Sequence, residues 1–68
     1  MTNVNKLRGR LGEIGMTMSE FAENMGLSRP TARRKVDGEV QFLGAEIKRA
    51  CEILGIPLTE IETYFFNQ

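Results

Sequence analysis

The chain of 68 residues has no histidine, no tryptophan, two prolines and a single cysteine, Cys51. One thiol cannot form an internal disulfide, and without histidine a Cys/His zinc site is unavailable. The lack of covalent or metal staples points to a reducing setting. No apolar run approaches the roughly 18 residues of a membrane span, and the N-terminal MTNVNKLRGR lacks the apolar stretch of a signal peptide. No β-type alternation, internal repeat or low-complexity segment occurs. There is also no phosphate loop and no nucleophile beside a base, so an enzyme is not expected, and neither is a cofactor. These absences leave a small protein expected to be soluble and cytoplasmic, with residues 1–68 forming one domain. At this length only about 60% of the unfolded surface is buried, so the apolar residues must be used efficiently.

Net charge is also missing: nine Lys/Arg balance nine Asp/Glu. The distribution is uneven. Residues 1–36 carry seven basic residues against three acidic ones, and residues 37–68 carry two against six. One half can face phosphates while the other points away.

Helical signals run the length of the chain. Asn5 can cap a first helix to about Ile14, with Leu7, Leu11 and Ile14 on one apolar face, and Gly15 suits its exit. Thr17 and Glu20 fit a capping box, and Met16 with Phe21 fit the accompanying hydrophobic staple. Phe21, Ala22 and Met25 form the buried face of this second helix, and Gly26 ends it. Ser28 or Arg29 caps the third helix, where Pro30 is tolerated in the first turn. Ala32 and Val36 face inward, and Asp37-Gly38 closes it. Phe42 anchors the connector that follows. A fourth helix is expected from about Gly44 to Leu54, with Ile47, Ala50, Cys51 and Leu54 as its apolar face. Cys51 is read as a small buried hydrophobe. A short fifth helix starts at Pro57 to Thr59 and carries Leu58, Ile61, Tyr64 and Phe65. Phe66 is the aromatic hardest to bury beside them.

Residues 17–38, TMSEFAENMGLSRPTARRKVDG, carry the functional signal. Two short helices joined by a tight turn, the second with four basic residues and no acidic one, suit a major-groove reader. A helix-turn-helix needs a small residue midway along its first helix, which Ala22 supplies. It needs glycine four positions later, which Gly26 supplies. Apolar residues must flank these points, as Phe21, Met25, Leu27, Ala32 and Val36 do.

With these residues in place, the segment resembles the helix-turn-helix of the phage Cro and repressor family, the Xre-like group. ARRKVDGEVQFLGAEIKRACEILGI is similar to its small Cro-like branch, and the likeness runs from Lys6 to Phe66. It implies an all-α, five-helix, lambda-repressor-like domain with the helix-turn-helix at helices 2 and 3. It implies a sequence-specific DNA-binding transcription regulator of a bacteriophage, working as a repressor in the host cytoplasm. The partners implied are a double-stranded operator and, often, a second copy in a homodimer. Base-reading positions carried over from the family are Ser28, Arg29, Pro30, Thr31 and Arg33. Arg29 and Arg33 are the best candidates, since arginine can bond guanine O6 and N7 together. Thr17, Arg34, Lys35, Lys6 and Arg10 are expected on phosphates, which fix register without reading sequence. Met18 stands where the family often has glutamine. Lys35 stands where many relatives bury an apolar residue, and its stem is expected to cover the core while its amine reaches out. The alternative is a modulator or antirepressor on the same scaffold that binds a partner repressor protein. The neutral charge, Met18 and the apolar Tyr64-Phe65-Phe66 end leave room for it.

Overall fold

Apolar residues spaced at helical intervals, broken by glycine, fold here into helices. The structure is a computed structural model that describes residues 1–66. The elements are α1 (Val4–Glu13), α2 (Met18–Met25), α3 (Arg29–Val36), α4 (Gly44–Leu54), a single 3₁₀ turn (Leu58–Glu60) and α5 (Ile61–Phe65). No strand occurs among the described residues. The domain measures 26 × 23 × 21 Å, and none of its helices is long and apolar enough to cross a membrane.

The helix boundaries follow from their caps. Asn3, not Asn5, starts α1: its side chain accepts from the Lys6 N–H, and Asn5 lies inside the first turn. The shift sets the N-terminal segment against α5, where the Asn3 N–H donates to the Tyr64 carbonyl at 2.9 Å. Thr17 and Glu20 form both bonds of the capping box that starts α2. Ser28 is the N-cap of α3, with Pro30 in the first turn. Gly26 follows α2 at φ 73°, a left-handed conformation that disfavours any residue with a Cβ. The Leu27 N–H then reaches back to the Ala22 carbonyl and the Gly26 N–H to that of Glu23. This Schellman arrangement satisfies carbonyls that the helix end would otherwise leave free.

One core joins the five helices. Leu7 and Leu11 of α1, Phe21 and Ala22 of α2, and Ala32 and Val36 of α3 meet Ile47, Ala50, Cys51 and Leu54 of α4, with Ile56, Tyr64 and Phe65 below. Ile14, expected on the α1 apolar face, is instead exposed beyond the last turn. Met16, Met18, Met25 and Leu27 pack at the core's edge, so Met18 is a half-buried packing residue. Phe42 anchors the connector through an edge-on contact with Phe65, ring centroids 5.2 Å apart, a geometry favoured by the ring quadrupoles. Cys51 is buried, and burial pushes its thiol pKa up. Phe66 is 54% exposed. The helix pair α2 and α3 is the most extensively packed. The small Ala22 and Ala32, both buried, allow close approach of those two helices.

Candidate functional site

The sequence of α3, RPTARRKV, places Ala32, Lys35 and Val36 on its buried face. Arg29, Pro30, Arg33 and Arg34 are exposed. Arg29 and Arg33 are four residues apart, as are Pro30 and Arg34, so each pair is adjacent on the helix surface. Three guanidinium groups are therefore exposed on one short helix, with Arg29 and Arg33 side by side and Arg34 turned further round. Arg29 and Arg34 make no ion pair or side-chain hydrogen bond among the described residues. Arg33 faces Asp37, with Nε 3.6 Å from Oδ2.

The start of α3 is occupied with its own capping. The Thr31 N–H donates to Ser28 Oγ at 3.3 Å, and the two hydroxyls lie 2.8 Å apart. Ser28 is exposed and Thr31 half-buried. At the start of α2 the Thr17 N–H donates to Glu20 Oε1 at 2.9 Å, and Thr17 Oγ1 accepts from the Glu20 N–H at 3.1 Å. The Thr17 bonds hold the Glu20 carboxyl below its ordinary pKa, the backbone N–H first and the hydroxyl second. The helix N-terminus thus already faces a carboxylate of its own chain. A phosphate there would use the remaining amides beside Glu20.

Lys35 departs from the expectation that its amine reaches outward. The residue is buried, and Nζ donates to Glu46 Oε1 at 2.7 Å and to the Gln41 carbonyl at 3.2 Å. Glu46 also accepts the Leu43 N–H at 2.9 Å. Burial alone would raise the Glu46 pKa, but the Lys35 hydrogen bond, the Leu43 N–H and the Lys35 charge outweigh it, and the net shift is downward. The pair ties the last turn of α3 to the start of α4 across the connector. A phosphate contact of the kind expected for Lys35 would have to break this pair.

The basic residues of α1 divide. Arg10 donates from Nε to the Leu54 carbonyl at 2.7 Å and pairs with Glu13 at 3.4 Å. A cation at the C-terminal end of α4 complements both the free carbonyl and the helix dipole. This structural task departs from the phosphate contact expected of Arg10. Lys6 is exposed, with Nζ 5.1 Å from the Tyr64 ring centroid, a cation–π contact that joins α1 to α5. Arg8 instead reaches the α3 end. Its Nε donates to Asp37 Oδ1 at 3.1 Å, and its Nη2 pairs with the same oxygen.

The expected residues brought together are therefore those of α3 and its N-cap, namely Ser28, Arg29, Pro30, Thr31, Arg33 and Arg34, while Thr17 caps the adjoining α2. Arg8, a basic residue off the apolar face of α1, and Asp37, expected to close α3, join them. The four-residue spacing of Arg33 and Asp37 was a usable signal. The approach of Arg8, 29 residues away, was not. No cluster of three or more His, Cys, Asp or Glu suited to a metal occurs among the described residues.

Residues 2–68 match the model of a family described as "Protein of unknown function (DUF739)", and the chain belongs to that family. No curated protein matches it.

Proposed function

We propose that this member of DUF739 is a sequence-specific DNA-binding protein, with α2 and α3 acting as a helix-turn-helix and α3 entering the major groove. The reading rests on one observation. The outer face of α3 presents Arg29, Arg33 and Arg34 to solvent, while Ala32 and Val36 fix its inner face in the core. The chain's acidic half does not cover that face: among the described residues only Asp37 pairs with it. The Gly26 turn and the buried Ala22 are the features a groove-reading pair needs behind such a helix.

In this mechanism Arg29 and Arg33 read base edges, Arg33 through a guanine O6/N7 pair. Ser28, Pro30 and Thr31 line the helix start. Arg34, Thr17 and Lys6 contact phosphates. The protein then works as a Cro-like transcription regulator in the cytoplasm of a bacterial host, with a homodimer matching an operator of two-fold symmetry. No cofactor or catalytic step enters this reading.

A salt titration of binding to duplex DNA tests it. The logarithm of affinity should fall linearly with the logarithm of salt, with a slope of about −0.9 per phosphate contacted. Affinity that is absent or indifferent to salt contradicts it.

A second reading is a modulator that binds a partner repressor protein. It is favoured by Leu58 at 69% and Phe66 at 54% exposure, apolar side chains left in water near the chain's acidic end. Tight, salt-insensitive binding to a repressor without any footprint on DNA would select it.

A further inference from the structure

Asp37 sits where α1 and α3 meet, and its two carboxylate oxygens have different tasks. Oδ1 accepts both contacts from Arg8, while Oδ2 faces Arg33 Nε at 3.6 Å. The side chain of Asp37 is only 23% exposed, while that of Arg33 is 68% exposed. The carboxylate is therefore a fixed point, held from α1, and Arg33 is a long side chain leaning on it from open solvent. The contact engages the Nε edge of the guanidinium. At 3.6 Å this is an ion pair and not a hydrogen bond, and no guanidinium nitrogen of Arg33, the two terminal ones included, makes a hydrogen bond among the described residues. The terminal nitrogens form the fork that can match guanine O6 and N7.

We propose that Asp37 is a positioning residue that sets the base specificity of Arg33, holding its guanidinium by the Nε edge with the terminal nitrogens directed outward. This rests on the DNA reading above. An arginine held in one orientation loses less conformational freedom when it meets a base. A freely rotating one can instead drop onto the nearest phosphate, which carries no sequence information. The carboxylate also works against phosphate, so it lowers affinity for every duplex alike. Its removal should therefore change two quantities in opposite directions: binding to arbitrary DNA strengthens, and preference for the right sequence weakens. A purely structural role would weaken both together.

The test uses the full chain and a duplex selected by it from a randomised pool, compared with a shuffled duplex of equal composition. Asp37→Asn keeps the shape and removes the charge. It should cut the ratio of selected to shuffled affinity by about tenfold, within the range that one bidentate arginine–guanine contact supplies, while affinity for the shuffled duplex rises. In the protein without DNA, nitrogen-15 relaxation of Arg33 Nε should report an ordered group in the parent and a mobile one in Asp37→Asn. Asp37→Ser serves in the same measurements where the Asn variant fails to fold. A ratio unchanged in the variant, a parallel loss for both duplexes, or an Arg33 Nε already mobile in the parent overturns the proposal. A parent chain that enriches no sequence overturns the DNA reading itself, and the role of Asp37 with it. The relaxation result tells that failure apart from a missing clamp.

Discussion

Lys35 Nζ lies 2.7 Å from Glu46 Oε1, with the two side chains only 8% and 19% exposed. The pair spans the junction between α3 and α4. Removing one partner leaves the other charge poorly solvated, which in a buried pair costs about 3–5 kcal/mol. Because Glu46 keeps some water, Lys35→Ala should destabilise by about 2–4 kcal/mol, read as a lowered urea midpoint. The double variant Lys35→Met/Glu46→Gln should recover most of that loss, since glutamine still accepts the Leu43 N–H and no charge remains. The double variant should also keep the salt dependence of DNA binding if the Lys35 amine stays with Glu46 and the Gln41 carbonyl when DNA is bound. A slope smaller by about one contact would return Lys35 to the interface.

The same pair gives stability a pH dependence. Glu46 and Glu20 both have pKa values below the ordinary carboxylate value of 4.5. A carboxyl with a depressed value in the folded state binds its proton more readily when unfolded. Its contribution is fully present above about 4.5 and is lost as pH falls through the folded value. Urea midpoints measured at successive pH steps should therefore be flat through the weakly acidic range and fall below it. The fall should be shallower in Lys35→Met/Glu46→Gln. An identical profile in the two proteins would remove Glu46 from the account.

Two glycines with similar backbone angles should respond differently to alanine. Gly26 has φ 73° with open space where a Cβ would go, so Gly26→Ala carries only the left-handed backbone cost of about 1–2 kcal/mol. Gly55 has φ 64°, and its Cβ would lie 3.1 Å from Arg10 Nη2. Gly55→Ala must also push the Arg10 guanidinium aside by a few tenths of an ångström, which strains its bond to the Leu54 carbonyl, so its loss should be the larger by up to about 1 kcal/mol, the usual worth of a hydrogen bond. Equal shifts in the urea midpoint would show that the guanidinium gives way without weakening its bond to the Leu54 carbonyl.

Much of the fold was legible because its signals are local. The capping box at Thr17 and Glu20, the Pro30 first turn and the Gly26 exit depend on neighbours within four residues, and each stands where the pattern places it. The buried faces of α2, α3 and α4 follow from helical spacing in the same way. The start of α1 was misplaced by two residues because Asn3 and Asn5 are equally good caps in isolation. The Asn3 bond to Tyr64 decides between them, and that contact spans the whole chain. The destinations of long cationic side chains were the least legible. Lys35 and Arg10 looked like surface charge, yet one meets Glu46 and the other the end of α4. Arginine and lysine reach too far for sequence spacing to fix their partners. The Arg8–Asp37 contact is of the same kind.

If α3 reads DNA, its exposed arginines should separate by role. Arg34→Ala should weaken binding to all duplexes alike and reduce the salt slope by about one contact. Arg33→Ala should remove discrimination worth about 1–3 kcal/mol at one base pair while leaving much of the sequence-independent affinity. Competition binding with single-base variants of a selected duplex measures both. Uniform losses from Arg33→Ala would move it from base to phosphate.

The most direct measurement is the map of backbone amide shifts when a selected duplex is added to the isotope-labelled full chain. The account predicts the largest changes from Ser28 to Arg34, with a second group at the start of α2 around Thr17, and little change at Leu58. Changes centred instead on Leu58 and Tyr64, or an undisturbed α3, would contradict it.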